Sequence, residues 1–135
     1  MEFNPDIFKY PAVEYIPLTI TTLALNPAWA PERPDQVTLF VLADEAALQE
    51  ELTRLGIPPA GQVDFTRDLV LLTLGYQLGA AYYRGQETIL LGEPLPHGYH
   101  LSTIPCHYFY KDRIQFALYN SEGGILARAS LKLST

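Results

Sequence analysis

The sequence predicts an α+β fold that is mostly β, in which a mainly antiparallel sheet packs one face against a single short helix. Only one segment, about Asp44–Leu55, shows helical periodicity in its apolar residues. The nearly continuous apolar run Leu69–Leu74 is typical of a strand that is covered on both faces. Residues 113–133 alternate apolar and polar side chains, as the two strands of a hairpin do.

Length and composition predict one domain spanning residues 1–135. Two cores in a chain of 135 residues would each be marginally stable, so a single core is expected. Hydrophobic residues make up 48% of the chain and charged residues 18%, which favours a globular core over disorder. Six of the eleven prolines lie in residues 1–36, which predicts an extended N-terminal segment packed on the domain.

The first predicted elements are two strands and the helix. Ile16–Leu25 is rich in β-branched residues and contains a proline, which indicates a strand near a sheet edge. Val37–Leu42 is predicted to be a second strand. The helix then begins with Asp44 as its N-cap and ends at Gly56, a residue suited to the left-handed conformation that terminates helices.

The middle of the chain is expected to supply the centre of the sheet. Leu69–Leu74 is predicted to be the central strand, with the helix against one of its faces. Glycines at positions 75, 79 and 85 then indicate a mobile, turn-rich segment, Gly75–Gly85. Two further strands are predicted at Glu87–Leu91 and Tyr99–Ile104.

The two C-terminal strands, Arg113–Asn120 and Ile125–Leu133, are predicted to form a hairpin. The register that sets Asn120 opposite Ile125 places apolar residues together on one face and polar residues on the other. In that register the expected pairs are Phe116 with Ala129, Ile114 with Leu131, Arg113 with Lys132 and Gln115 with Ser130. The predicted core comprises Leu69–Leu74, Ile114, Phe116, Leu118, Ile125, Leu131 and Leu133.

The net charge of −6 and the single cysteine limit the function classes. An acidic chain with nine scattered basic residues disfavours nucleic acid and anionic lipid as partners. Cys106 has no second cysteine with which to form an internal disulfide or a cysteine-based zinc site. The first residues lack the pattern of a signal peptide and no apolar run could span a bilayer. We therefore expect a cytoplasmic protein, or an exported one if a signal peptide has been removed.

A motif surrounds the central strand. Val63-Asp64-Phe65-Thr66 precedes it, the strand ends in Leu74-Gly75, and Leu78-Gly79-Ala80-Ala81-Tyr82 follows. Over roughly Val37–Tyr83, this pattern resembles the domain at the C-terminus of PrcB, an accessory protein of a bacterial secreted protease complex. The double glycine of that family is not kept, since Ala80 follows Gly79. The resemblance implies a non-catalytic accessory or stabilising module that acts through protein contacts, usually in an exported protein.

The residues that could carry soft-ligand or nucleophile chemistry fall within eleven positions: His97, His100, Cys106 and His107. Imidazole and thiolate groups can bind zinc or copper, but this spacing matches no established ligand pattern. Adjacent residues of a strand point to opposite faces, so His107 is poorly placed to activate Cys106; His100 could approach from a neighbouring strand. We predict no metal and no cofactor, and a structural cysteine. Asp64 and Asp68 are not expected to form an acid–base pair, and Asp64 is predicted to cap nearby backbone N–H groups.

The tyrosines give the strongest indication of a binding surface. Aromatic side chains are enriched at interfaces because they offer a large contact area at low entropic cost. The predicted binding residues beside the glycine-rich segment are Tyr76, Tyr82, Tyr83 and Arg84.

These observations favour a non-enzymatic module that binds a protein or a small ligand, including a protease-associated stabilising domain. One alternative is a small hydrolase or metal-dependent enzyme that uses the segment His97–His107. Another is a structural domain that self-associates as a homodimer by pairing a sheet edge with a second copy.

Overall fold

A computed structural model describes residues 16–28, 37–59, 61–84, 87–106, 113–120 and 122–132. These residues form one mixed seven-stranded sheet and one helix. The pairing of β5 with β6 is parallel, whereas the other pairings of described strands are antiparallel. The predicted mostly-β α+β class and mainly antiparallel sheet are therefore confirmed. In chain order the elements are β1 (Ile16–Leu18), β2 (Thr21–Asn26), β3 (Thr38–Leu42), α1 (Glu45–Leu55), β4 (Asp68–Arg84), β5 (Glu87–Pro105), β6 (Arg113–Tyr119) and β7 (Ile125–Lys132).

The long hairpin of β4 and β5 runs through both halves of the sheet. In the helix-side half, β3 pairs with residues 70–74 of β4, and β2 pairs with residues 99–103 of β5. In the parallel-strand half, β1 pairs with residues 81–83 of β4, β6 pairs with residues 87–91 of β5, and β7 pairs with β6. Since β7 also lies alongside β3, the two halves close on each other around a shared core.

Two irregularities in the pairing of β4 with β5 keep the apolar side chains of β4 directed into this core. Between the pairs Leu74–Tyr99 and Tyr76–Pro94, one residue of β4 lies opposite four residues of β5, whereas Gly79 is a single extra residue of β4, a β-bulge. The register of β4 against β5 shifts at Gly75, which has a φ of 80°, and again at Gly79. The inward residues change from odd to even numbers and back to odd, as the core cluster shows: Leu69, Leu71, Tyr76, Leu78 and Ala81.

Helix α1 covers the face of the helix-side half that points away from the shared core, as predicted. The Asp44 carboxylate accepts from the Ala47 N–H at 2.7 Å, and Gly56 takes a left-handed φ of 71°. The Ile57 N–H donates to the Leu52 carbonyl at 2.9 Å, which completes a Schellman C-terminal cap. Leu48 and Leu52 pack on a cluster that includes Val70, Leu72, Leu74 and Leu101.

The central-strand prediction is confirmed. Side chains from Leu69 to Leu74 are at most 6% exposed, and the strand lies between β3 and β5. Its even-numbered residues face α1, whereas Leu69 and Leu71 face the shared core. Covering both faces of this strand explains why its sequence is apolar at almost every position.

Three predicted boundaries are wrong. The predicted strand Ile16–Leu25 is two strands that pair with different partners, β1 with β4 and β2 with β5. The predicted strands Glu87–Leu91 and Tyr99–Ile104 are the two ends of one strand, β5. Residues 75–84 of the predicted mobile turn belong to β4 instead, and Gly85 lies outside the described residues. Glycines 75 and 79 mark register shifts within a strand, a second situation in which chains use glycine.

The C-terminal hairpin has the predicted register from Arg113–Lys132 to Leu118–Ala127, but the pairing of Asn120 with Ile125 is wrong. A register shift pairs Tyr119 with Ile125, and Asn120 leaves the ladder to organise the turn. Its Oδ1 accepts from the Glu122 and Gly124 N–H groups, each at 2.9 Å.

The predicted core is confirmed at Phe116 and Leu118, which are fully buried, and wrong at Ile125, which is 44% exposed. The side chains of Ile114 and Leu131, together with Leu133, lie outside the described residues. Of the predicted N-terminal segment 1–36, β1 and β2 join the sheet, whereas residues 1–15 and 29–36 lie outside the described part. Among the described residues, no helix has the length and apolar character needed to cross a membrane.

Gly92→Ala should destabilise the fold strongly. A Cβ at Gly92 would lie 1.9 Å from the Gln77 carbonyl oxygen, whereas at Gly79 the nearest backbone atom would be 3.8 Å away. We expect Gly92→Ala to lower the free energy of unfolding by about 2–3 kcal/mol. The matched change Gly79→Ala should alter it by less than about 1 kcal/mol. Urea unfolding of both variants measures the difference, and equal stabilities would contradict the close approach at Gly92.

Candidate functional site

The β4–β5 hairpin bends where it passes from one half of the sheet to the other. Residues 75–80 of β4 lie between the stretches that pair with β3 and β1, and residues 92–98 of β5 lie between those that pair with β6 and β2. These two stretches, which we call the bend, have no outer neighbour among the described strands. Their outward backbone groups need hydrogen-bond partners from elsewhere, because an unpaired buried N–H or C=O is costly.

Side chains supply several of these partners. The Thr73 hydroxyl donates to the Tyr76 carbonyl at 2.6 Å, and the Tyr76 hydroxyl donates to the Gly92 carbonyl at 2.7 Å. The Leu78 N–H donates to Nδ1 of His100 at 3.0 Å. Burial raises the pKa of the Tyr76 hydroxyl, which keeps it protonated and able to donate. Buried side chains therefore hold the bend in place of a neighbouring strand.

His100 is fixed in one neutral form. Its side chain is 1% exposed, and its Nδ1 must be unprotonated to accept from Leu78. The proton therefore sits on Nε2, which donates to the Thr22 hydroxyl at 3.0 Å. Burial lowers the pKa of His100 below its ordinary value, in agreement with the neutral ring. Both ring nitrogens are engaged, so this histidine acts as part of the core.

The structure places Cys106 far from His100. They are six positions apart along the extended chain, a distance of roughly 20 Å. The Cys106 thiol lies 3.6 Å from the Thr66 carbonyl, and burial followed by the negative charge of Asp68 raises its pKa. A raised pKa disfavours the reactive thiolate. Within the described ranges no three His, Cys, Asp or Glu side chains group as a metal site, while His107 and the His97 side chain lie outside those ranges.

Asp64 has the local role that the sequence predicts. Its Oδ1 accepts from the Thr66 N–H at 3.0 Å and from the Thr66 hydroxyl. The hydroxyl bond, followed by the backbone bond, lowers the pKa of this carboxyl group. Asp64 therefore stabilises the turn before β4.

The predicted binding residues do not share one surface. Tyr76 is 3% exposed and belongs to the shared core, so its place in an exposed recognition loop is wrong. Tyr83 packs against the same core, whereas Tyr82 packs on the outer face of β4 beside Ile89 and Leu91. The side chain of Arg84 lies outside the described residues. Alternation along an extended strand separates the adjacent tyrosines.

An open groove of about 130 Å³ lies on the bend, a volume below the usual range of small-molecule sites. We call it the bend groove. Gly79 leaves space for it at the β-bulge, and Gly92 allows β5 to approach the backbone of Gln77 closely. A signal for this site exists in the sequence, since isolated glycines within apolar strand segments mark bulges and close approaches. The groove is lined by Gln77, Leu78, Gly79, Ala80, Leu91, Gly92 and Glu93.

The bend groove combines aliphatic walls with one exposed carboxylate, that of Glu93. None of its lining residues is basic. A second, largely apolar groove of about 240 Å³ shares Gly92 and Glu93 with it and continues past Pro94 to Leu126. Glu93 therefore lines both grooves.

Comparisons of the chain with models of protein families, with curated proteins and with solved structures give no match.

Thr73→Val should destabilise the bend. Valine has the shape of threonine but cannot donate to the Tyr76 carbonyl, so a buried acceptor loses its partner. We expect a loss of about 1–3 kcal/mol in the free energy of unfolding, measured by urea denaturation. The same substitution at Thr53, which is exposed on α1, should change the value by less than about 0.5 kcal/mol. A Thr73→Val protein as stable as the Thr53→Val protein would show that the hydroxyl does not hold the bend.

Proposed function

We propose that this domain is a non-enzymatic binding module whose contact site is the bend groove. The ligand is an extended peptide segment of a partner protein, with a basic residue between aliphatic ones. The observation that carries this proposal is that Glu93, an exposed acidic residue, lines both grooves.

The chemistry of the groove supports a cationic, partly apolar ligand. Ala80 and Leu91 can contact aliphatic side chains, whose removal from water favours binding. A lysine or arginine near Glu93 would form a charge-assisted hydrogen bond. The net charge of −6 also attracts a basic partner from a distance and accelerates association.

The shape of the groove supports an extended ligand. It is lined by residues of both β4 and β5 around the register shift between Leu78 and Ala80, so it runs along part of both strands. Peptides that bind beside strands commonly use an extended conformation, with alternate side chains entering pockets. Tyr82 lies on the same outer cluster as Ala80 and could extend the contact surface, in keeping with its predicted binding role.

A narrower role, stabilisation of a secreted protease complex, follows from the resemblance to the PrcB domain and remains a prediction. The binding-module proposal supports it to the extent that such accessory domains act through protein contacts. The enzyme hypothesis receives less support, because His100 is engaged in the core and the Cys106 pKa is raised.

Selection from a phage-displayed library of random peptides tests the proposed function. Wild-type protein should enrich peptides that carry lysine or arginine next to aliphatic residues. Gly79→Leu should weaken the selected peptides at least about tenfold, or 1.4 kcal/mol, because the new side chain fills the bend groove. Ala46→Leu is the matched control, since it adds the same side chain at an exposed position on α1 and should leave binding unchanged.

Glu93→Gln tests the charge requirement separately. This variant keeps the size of the side chain but removes the carboxylate, so it should lose the preference for basic residues. Isothermal titration with a selected peptide and with its lysine-to-norleucine analogue measures that preference. The proposal fails if the wild type enriches no peptide family, or if Gly79→Leu and Ala46→Leu bind the selected peptides equally well.

A further inference from the structure

His100 links the bend groove to the rest of the sheet. Its Nδ1 accepts the backbone N–H of Leu78, and its Nε2 contacts Thr22 on β2. Leu78 lines the groove, and the register of β4 shifts immediately after it. One buried ring therefore joins the wall of the groove to a strand on the far side of β5.

We infer that the bend is a pH-sensitive switch, in which protonation of His100 removes the acceptor for the Leu78 N–H and loosens the wall of the bend groove. A doubly protonated imidazole carries an N–H at both nitrogens. The Nδ1–H would then face the Leu78 N–H, so two donors would meet where one hydrogen bond now exists. The ring would also bring a positive charge into a site that is almost fully buried.

The surroundings of His100 do not compensate for that charge. Strand β2 contains no titratable residue. From β4, the nearby titratable group is Tyr76, whose hydroxyl donates to the Gly92 carbonyl. On β5 itself, Tyr99 packs in the helix-facing cluster and Glu93 is exposed at the groove. Burial is the one cause of the lowered His100 pKa, and no charged side chain within the described residues opposes it.

The direction of the pH effect follows from the lowered pKa. A histidine in the opened or unfolded chain titrates near 6.5, whereas His100 in the folded state titrates below that value. The stabilisation that the neutral ring gives to the closed state is therefore complete above the pKa of the opened or unfolded chain. It is lost as the pH falls towards the lower pKa of His100 in the folded state. Within that window, the opening equilibrium rises by up to about tenfold for each pH unit.

The consequence for binding rests on the proposed function. If Leu78 and Gly79 separate from β5, the groove loses the wall that faces Leu91, so a peptide selected at neutral pH should be released in mild acid. The switch itself needs no ligand and can be measured alone.

Amide hydrogen exchange tests the switch in a full-length chain with His97→Gln and His107→Gln, which leaves His100 as the only histidine. Protection factors, corrected for intrinsic exchange, are measured for Leu78 and for Leu72 at pH 7.5 and pH 5.0. Protection of Leu78 should fall by up to about 30-fold, the factor for an open state that titrates near 6.5 and a closed state that stays unprotonated. Leu72, held in the β3–β4–β5 ladder, should change less. Equal protection of Leu78 at the two pH values would overturn the inference.

Two variants in the same background separate titration from packing. His100→Asn offers an oxygen acceptor to Leu78 but cannot titrate, so its Leu78 protection should not depend on pH in this range. Thr22→Val removes the Nε2 contact but keeps the imidazole, so the pH response should persist. A pH response in His100→Asn equal to that of the parent would overturn the inference.

If His100→Asn does not fold, the inference is tested by titration of His100 in the parent protein. The nitrogen chemical shifts of the His100 ring should show an unprotonated Nδ1 at neutral pH and a titration midpoint below 6.5. A midpoint at or above 6.5 would overturn the switch. A pH response without peptide binding would leave the switch intact and refute only the proposed function.

Discussion

The structure depends on satisfying the backbone of β4 and β5 where this long hairpin crosses between the two halves of the sheet. Within the described part of the chain, neighbouring strands pair with the ends of β4 and β5 but not with their middle. The hydroxyls of Thr73 and Tyr76 and the ring of His100 replace part of that missing pairing. Because a buried backbone group without a partner costs more than a hydrogen bond gains, these three side chains determine whether the hairpin can bend there.

The same constraint creates the candidate site. Register shifts at Gly75 and Gly79 keep the apolar side chains of β4 directed inward along the whole strand. Gly92 is required where β5 approaches the Gln77 carbonyl, whereas Gly79 lies at an open position. The groove is therefore a consequence of how the sheet bends. Its rigidity follows from the buried network beneath it, and so does its sensitivity to the protonation of one histidine.

Local patterns predicted the parts of the fold whose physics is local. Helix α1 is defined by the Asp44 cap, by the spacing of the buried Leu48 and Leu52, and by Gly56. All three signals act within a few residues of the helix. The apolar run of the central strand reflects burial on both of its faces. The register of Phe116 with Ala129 reflects burial of one face of the C-terminal hairpin. For the candidate site, the sequence predicted the segment but not its conformation. The glycines singled out Gly75–Gly85, but isolated glycines occur both in turns and in strands with register shifts.

The class of fold, the helix, the central strand and most of the C-terminal hairpin could be predicted from the residues alone, because periodicity, caps and turns encode these over short distances. The folded chain was needed to show that β4 continues through its glycines, that Tyr82 and Tyr83 therefore face opposite ways, and that His100 binds Leu78. The course of β4 and the contact of His100 with Leu78 depend on residues far apart in the chain, and the directions of Tyr82 and Tyr83 follow from alternation once β4 is known to continue. A register shift reverses every later side chain of a strand, and the glycines that mark it here are equally typical of a turn.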